Sequence, residues 1–325
     1  MSNSDTAARQ LDRLRVAVVG AGAIGGVLGA RLQQAGHDVV FIARGATLAA
    51  LQSRGLILES IDGDLTLPSV QATDDPGTVG VVDVVLVCVK ATQIAGIAPS
   101  LRAMVGTATA VIPVQNGVEA SEVLAAALGH GNVLEGLGRV LVEQVAPGHI
   151  RHTAVTPIIE FGRRAGAPDQ SPAYAQIERF AAALRGAGLV AEVPADMSVA
   201  QWQKFLFIEP IGAVGAAARV PFGVVRSLPE SRALIDAALH ELQNVGRAVG
   251  VAWPADAIDR VWARYDSLPA DGSTSLQRDL MAERPSEFEA QTGAVVRIGR
   301  TQGVPTPVHD VLYAVLLPSA RSALP

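Results

Sequence analysis

Along the first half of the chain, short apolar runs alternate with stretches of helical spacing. "RVAVVG" (from Arg15 to Gly20) reads as a strand. "AIGGVLGARLQQAG" follows as a helix ending near Gly36. "HDVVFIARG" reads as the next strand and "ATLAALQSRG" as the next helix. "VVDVVLVCVKA" and "ATAVIPVQNG" are two more apolar runs, each closed by polar residues. Short continuous apolar runs bounded by turn formers suit strands covered on both faces. Their alternation with helices predicts right-handed crossovers and a doubly wound parallel sheet. Further on, "VLEGLGRVLVEQVAPGHIRH" and "TPIIEFG" predict β structure around a Pro147-Gly148 turn.

The pattern changes after about Asp196. "SRALIDAALHELQNVGRAVG" and "DAIDRVWARYDSL" carry helical periodicity and few strand signals. The expected architecture is an α/β protein: an N-terminal Rossmann-type doubly wound sheet over 1–195, then an all-helical C-terminal domain over 196–325. Neither an internal repeat nor a low-complexity tract interrupts this division.

Composition narrows the picture. The 325 residues suit about two domains. With 49% hydrophobic but only 4% aromatic residues, Ala, Val and Leu must build the core. A net charge of -5 without a basic block argues against nucleic acid and anionic membrane surfaces as partners. Cys88, the single cysteine, excludes an intrachain disulfide and reads as a buried core thiol. The polar start "MSNSDTAARQLDRLR" lacks a signal-peptide apolar stretch, and no run reaches the ~18 residues of a membrane span. A soluble cytoplasmic protein is expected.

The strongest single motif is "VAVVGAGAIGG". It sets Gly20, Gly22 and Gly25 in G-x-G-x-x-G spacing, between a strand and a helix. Gly20 permits the tight turn, Gly22 the approach of a pyrophosphate, and Gly25 close packing of helix on strand. The helix N-terminus attracts the anion. Gly20, Ala21, Gly22, Ala23, Ile24 and Gly25 are therefore candidate dinucleotide contacts. At the end of the second strand, where an NAD site usually carries an acid, "FIARG" offers Arg44 instead. A guanidinium suits a 2′-phosphate, so NADP(H) is the expected cofactor; an ordinary surface arginine is the competing reading. Lys90 closes the strand in "VCVKA" and Asn116 closes the next in "VQNG". Ligands bind beyond the carboxyl ends of such strands, but Asn116-Gly117 reads equally well as a plain turn.

In "SVAQWQKFLFIEPIGAVG", Lys204 stands in an almost wholly apolar run. It could snorkel, sit in a buried ion pair, or act as an acid. On a helix, Gln201, Lys204, Ile208 and Gly212 share one face, so Lys204 need not lie in the core. Pro210 is expected to kink or restart the helix. Glu209 is expected to pair with an arginine.

These residues together resemble the ketopantoate reductase (2-dehydropantoate 2-reductase) family over nearly the whole chain. The glycine-rich start, Lys90, Asn116-Gly117, Pro147-Gly148 with His152, Trp202 with Lys204, "SLQRDLMAERPSEFEAQTG" and "GVPTPVHDVLY" all fit its pattern. The resemblance implies a Rossmann domain and a helical domain with the active site in the cleft, and a place in pantothenate biosynthesis. It implies NADPH-dependent reduction of ketopantoate to pantoate, with Lys204 as general acid. Asn116 would orient substrate and nicotinamide ribose, and Ser275 would hold the substrate carboxylate. Glu287 would reach the cofactor or a substrate hydroxyl, and Lys90 the cofactor. The partner is a small 2-oxo acid; a homodimer is left open. Where the family carries asparagines, this chain has Ile208, Gly212 and Phe222. Ile208 and Phe222 would make that wall of the site apolar and Gly212 would leave room. One alternative is therefore the same chemistry on a more apolar 2-oxo acid. Another is a non-catalytic NADP(H)-binding sensor.

Overall fold

The computed structural model describes residues 13–322; the polar start of the chain, apart from its last residues, lies outside them. By internal contacts the chain divides into two compact units, one of 1–115 with 120–197 and one of 116–119 with 198–325.

The first unit opens with strand β1 (Arg15–Val19), helix α1 (Ala23–Gln34), strand β2 (Asp38–Ile42) and helix α2 (Gly45–Arg54). Strands β3 (Leu56–Ser60), β4 (Leu65–Leu67) and β5 (Gln71–Thr73) follow. Then come β6 (Val84–Val87), α3 (Ala91–Ile97), β7 (Ala110–Pro113) and α4 (Ala120–Leu128). A long hairpin, β8 (Glu135–Ala146) and β9 (His149–Gly162), precedes α5 (Ala175–Gly186) and β10 (Val190–Glu192).

One sheet has the order β5-β2-β1-β6-β7 and is parallel throughout. Apart from Arg15 and Asp38 at their starts, its central strands are apolar and buried on both faces, as parallel strands under crossover helices must be. The chain leaves β1 toward β2 on one side and returns to β6 on the other. The order therefore reverses between β1 and β6, where α/β sheets bind ligands. The expected β structure around Pro147-Gly148 is the β8–β9 hairpin. The expectation of one sheet missed a second, mixed one of order β10-β9-β3-β4, with β8 on β9. Here β3 leaves the parallel sheet to pair with β9, Leu58 opposite Ile150. Cys88 packs against the first core at half burial, and burial pushes its thiol pKa up.

The second unit is helical. Helix α6 (Met197–Ala218) is its longest, followed by α7 (Phe222–Ser227), α8 (Pro229–Ala248) and α9 (Ala257–Ser267). Helices α10 (Ser275–Met281), α11 (Thr292–Gln302) and α12 (Pro307–Ser322) complete it. Its core gathers Trp202, Phe205, Leu206, Leu239, Leu242, Tyr265 and Phe288. None of the described helices is long and apolar enough to cross a membrane.

Pro210 lies inside α6, which runs on through it without restarting. Proline cannot donate to the Leu206 carbonyl one turn back. The buried Tyr265 hydroxyl lies beside this gap, donating at 2.7 Å to the Phe207 oxygen and standing 3.4 Å from the Leu206 oxygen. A side chain from α9 thus bonds to the helix beside its gap.

Candidate active site

In the first unit, Gly20 has φ +98° and sits against the end of β6; a Cβ there would lie 2.8 Å from the Val89 nitrogen. Only glycine satisfies both constraints. The turn after β1 and the turn after β6 that leads to Lys90 are therefore neighbours at the reversal point. A Cβ on Gly25 would fall 2.0 Å from the Gly20 carbonyl oxygen, so the helix packs as closely as the motif requires. Gly22, by contrast, faces space, with its nearest neighbour 3.8 Å from a Cβ position. It is the N-cap of α1 and no side chain caps the helix. The first N–H groups of α1 therefore remain for an anion. This geometry fits a pyrophosphate. Arg44 is exposed at the end of β2 and is the N-cap of α2. Lys90 is half-buried at the N-cap of α3, its backbone N–H donating to the Gln93 Oε1 at 3.2 Å.

In the second unit, Asn116 and Gly117 form a turn docked on the helices. Gly117 has φ +94°, and a Cβ there would meet the Ala290 carbonyl oxygen at 2.3 Å. The Asn116 Nδ2 donates to the Glu287 Oε2 at 2.9 Å. The Gln201 Nε2 on α6 donates to the Gly117 carbonyl at 3.3 Å. Arg297 on α11 holds Glu119 at 2.6 Å, which steadies the same turn. Asn116, Glu287 and the Lys204 helix are thereby joined in one hydrogen-bonded patch.

Lys204 is only 7% exposed, which argues against a snorkelling side chain. It sits one turn beyond Gln201. Two turns further on, Gly212 meets the segment that carries Ser275: a Cβ on Gly212 would lie 2.9 Å from the Thr274 Oγ1. The face of α6 bearing Gln201, Lys204, Ile208 and Gly212 thus receives the Asn116 turn at one end and the Thr274 segment at the other. The contacts are eleven residues apart, a rise of about 16 Å. Ser275 is the exposed first residue of α10. Thr274 caps that helix, its hydroxyl accepting from the Gln277 N–H at 3.1 Å.

Two expectations about the wall of the site fail here. Gly212 does not leave room, because Thr274 fills the space. Phe222 is buried in the second core and packs on Gly272, 2.9 Å from a Cβ position there. It supports the loop before α10 rather than facing a ligand. Ile208 stays partly buried on the Lys204 face.

The arginine expected beside Glu209 is instead a histidine. Glu209 is 0% exposed; its Oε2 lies 2.8 Å from the His309 Nε2, and its Oε1 accepts from the Thr292 hydroxyl at 2.8 Å. The His309 Nδ1 lies 2.7 Å from the Glu241 Oε2, and Glu241 also accepts the Val308 and His309 backbone N–H groups at the start of α12. Burial alone would push the imidazole pKa down. The Glu209 charge and the hydrogen bonds to Glu209 and Glu241 outweigh it and raise His309 to about 9. Burial likewise opposes ionisation of Glu241, but the bonds from His309 and the two backbone N–H groups hold its pKa below the usual range. The Thr274/Gln277 pair was legible as a capping pattern around Ser275. Nothing local in the sequence joined Glu209, Glu241, Thr292 and His309. Among the described residues no cluster of His, Cys, Asp and Glu could hold a metal ion.

Residues 16–166 match the family model described as ketopantoate reductase PanE/ApbA, and residues 196–318 match its C-terminal counterpart. The chain is 30% identical to a 2-dehydropantoate 2-reductase of Mesorhizobium japonicum, over 93% of this chain and 97% of that one. It is 30% identical to a 2-dehydropantoate 2-reductase of Mycobacterium tuberculosis, over 93% and 96%. Among solved structures, a PanE/ApbA family ketopantoate reductase from Ralstonia eutropha superposes with a TM-score of 0.84 at 29% identity, covering 95% of this chain and 99% of that one. A D-mandelate dehydrogenase solved with NADH and anilino(oxo)acetate superposes at 0.85 but at 18% identity, over 95% and 99%, a likeness of fold alone. The chain belongs to the ketopantoate reductase PanE/ApbA family of oxidoreductases.

Proposed function

We propose that the chain reduces 2-dehydropantoate (ketopantoate) to pantoate at the expense of NADPH, with Lys204 as the general acid. The observation that carries this reading is the placement of Lys204 in the second unit: it is nearly buried on an α6 face whose two ends hold the Asn116–Glu287 pair and the Thr274–Ser275 segment. Bound NADPH would supply the hydride for the ketone carbon, leaving NADP+. The residues of the chain do the rest. Lys204 donates its Nζ proton to the oxygen as the carbonyl becomes an alcohol, and its charge stabilises the alkoxide that develops. Asn116 and Glu287 orient the substrate and ribose hydroxyls, and the Ser275 hydroxyl binds the carboxylate. In the first unit, the residues from Gly20 to Gly25 hold the pyrophosphate on the α1 N–H groups, Lys90 contacts the cofactor, and Arg44 pairs with the 2′-phosphate.

A second reading keeps this chemistry on a more apolar 2-oxo acid. It is favoured by Ile208 standing one turn from Lys204, where it presents an apolar side chain. Steady-state kcat/KM for NADPH oxidation with ketopantoate, 2-oxoisovalerate and larger apolar 2-oxo acids tests both. Ketopantoate leading by roughly a hundredfold, about 2.7 kcal/mol, supports the first reading. An apolar acid matching or exceeding it supports the second. Cofactor binding without turnover of any acid leaves an NADP(H)-binding sensor.

A further inference from the structure

The buried network around Glu209 takes no part in the chemistry proposed above, yet it is built on the Lys204 helix. Glu209 lies five residues beyond Lys204 and directly before Pro210, where α6 lacks a backbone hydrogen bond. A helix interrupted there can bend or turn more easily than an intact one. Two side-chain devices flank the gap. The Tyr265 hydroxyl donates to the Phe207 carbonyl beside it. Glu209 binds outward to α11 through Thr292 and to α12 through His309, and Glu241 on α8 closes the far side of the imidazole.

Thr292 is the first residue of α11 and follows Glu287 by only five positions. Glu209 therefore bonds α6 to the same stretch of chain that carries Glu287. The Gln201 bond to Gly117 forms a second link, because the neighbouring Asn116 holds Glu287. The two links lie eight residues apart on α6, a separation of about 12 Å, with Lys204 between them. Beside the apolar packing of α6, these directional bonds bear on its slide and rotation at two separate points. Apolar packing could close a helix interface at no loss of stability, whereas a buried ionic pair fixes one geometry when its partners are fully satisfied.

We propose that Glu209 is a positioning residue: bonded to Thr292 and His309, it locks the Lys204 helix across the Pro210 gap and sets where Lys204 stands relative to Glu287. The inference rests on the reading of Lys204 as the acid. A misplacement of about 1 Å at a reacting group can slow turnover by ~10²-fold, so loss of one link has a kinetic signature.

The test uses the full-length protein with NADPH and the best 2-oxo acid of the panel, well below the melting temperature. Thr292→Val keeps the side-chain shape and removes the donor to Glu209; Thr292→Ser restores it. Glu209→Gln is the second probe. Expected are a fall in kcat of ~10–10²-fold for Thr292→Val and Glu209→Gln, an unchanged Kd for NADPH, and recovery of most of the loss in Thr292→Ser. In a Lys204→Ala background, Thr292→Val should lower turnover no further, because the link acts through the lysine. Full kcat in both single variants, with or without a lower Tm, overturns the proposal and makes the network a stabilising one only. An additive loss in the Lys204→Ala background overturns it as well. Lys204→Ala retaining wild-type turnover refutes the acid reading itself and takes the positioning role with it. Lys204→Ala inactive with Thr292→Val fully active refutes the positioning role alone.

Discussion

Raising the pH should weaken the helical unit through His309. The imidazole is 0% exposed and lies between two carboxylates, Glu209 at 2.8 Å and Glu241 at 2.7 Å. The Tyr265 hydroxyl also faces Glu209, and burial pushes its pKa well up, so it stays neutral through this range. The folded state holds the His309 proton to about pH 9, whereas the unfolded chain releases it near 6.5. A group with a raised folded pKa contributes in full below its unfolded value and loses that contribution as pH rises through the folded one. The difference of about 2.5 units corresponds to roughly 3 kcal/mol at ~1.4 kcal/mol per unit. Less than half of it should remain at pH 8 and almost none above 9. Glu241 has the opposite sign: its contribution is present above about pH 4.5 and fades as pH falls through its lowered folded value. The pair should therefore support the fold best between those limits. All three tryptophans, Trp202, Trp253 and Trp262, belong to the helical unit, so their fluorescence reports its unfolding. Urea titrations between pH 6 and 9.5 should show wild-type stability falling more steeply than that of Glu209→Gln, which lacks the largest support for the imidazolium, by at most roughly 3 kcal/mol. Equal slopes for the two proteins, or a His309 resonance that titrates near 6.5, would refute the reasoning.

Other outcomes follow from single positions. Arg44→Ala should reduce the preference for NADPH over NADH by about 1.5–3 kcal/mol in titrations of the two cofactors; an unchanged ratio removes Arg44 from the 2′-phosphate. Lys204→Ala should lower kcat by ~10²–10⁴-fold with NADPH affinity nearly intact, measured by single-turnover and binding experiments. Gly117→Ala should destabilise the protein by roughly 2 kcal/mol or more, because φ is +94° and the new methyl meets the Ala290 carbonyl; thermal unfolding checks this.

Local pattern carried much of the fold to the page. Apolar strands closed by Gly20, Lys90 and Asn116 and separated by helix-spaced runs were enough to anticipate the parallel sheet, because each strand must be covered on both faces. The second sheet was hidden for the same physical reason. Strand β3 is a short, half-exposed segment whose partner, β9, lies about ninety residues away, and only the tertiary pairing makes it a strand. The glycine turn was legible because its three glycines answer to backbone sterics that any sequence must respect. The Glu209 network was not. An ionisable residue in an apolar run signals that a partner exists, but the chain does not say which. His309 sits a hundred residues further on, and its approach depends on how α12 packs against α6 and α8.

The failed expectation at Gly212 changes how substrate selection should be understood. Removal of a side chain from a helix face suggests an enlarged pocket when the helix is considered by itself. Here the same absence lets the Thr274 side chain close against α6, within 2.9 Å of where a Cβ would stand. That contact fixes the cap of α10, since the Thr274 hydroxyl also accepts from the Gln277 N–H. It places Ser275 at a defined distance along the helix from Lys204. Phe222, buried beneath Gly272, braces the loop from the other side. Gly212 and Phe222 therefore act as structural complements that position a polar segment, and Ile208 stays on the Lys204 face as an apolar residue between its two polar ends. On the proposed reading, selection of the acceptor would turn on Ile208 and the Ser275 hydroxyl rather than on Gly212 or Phe222.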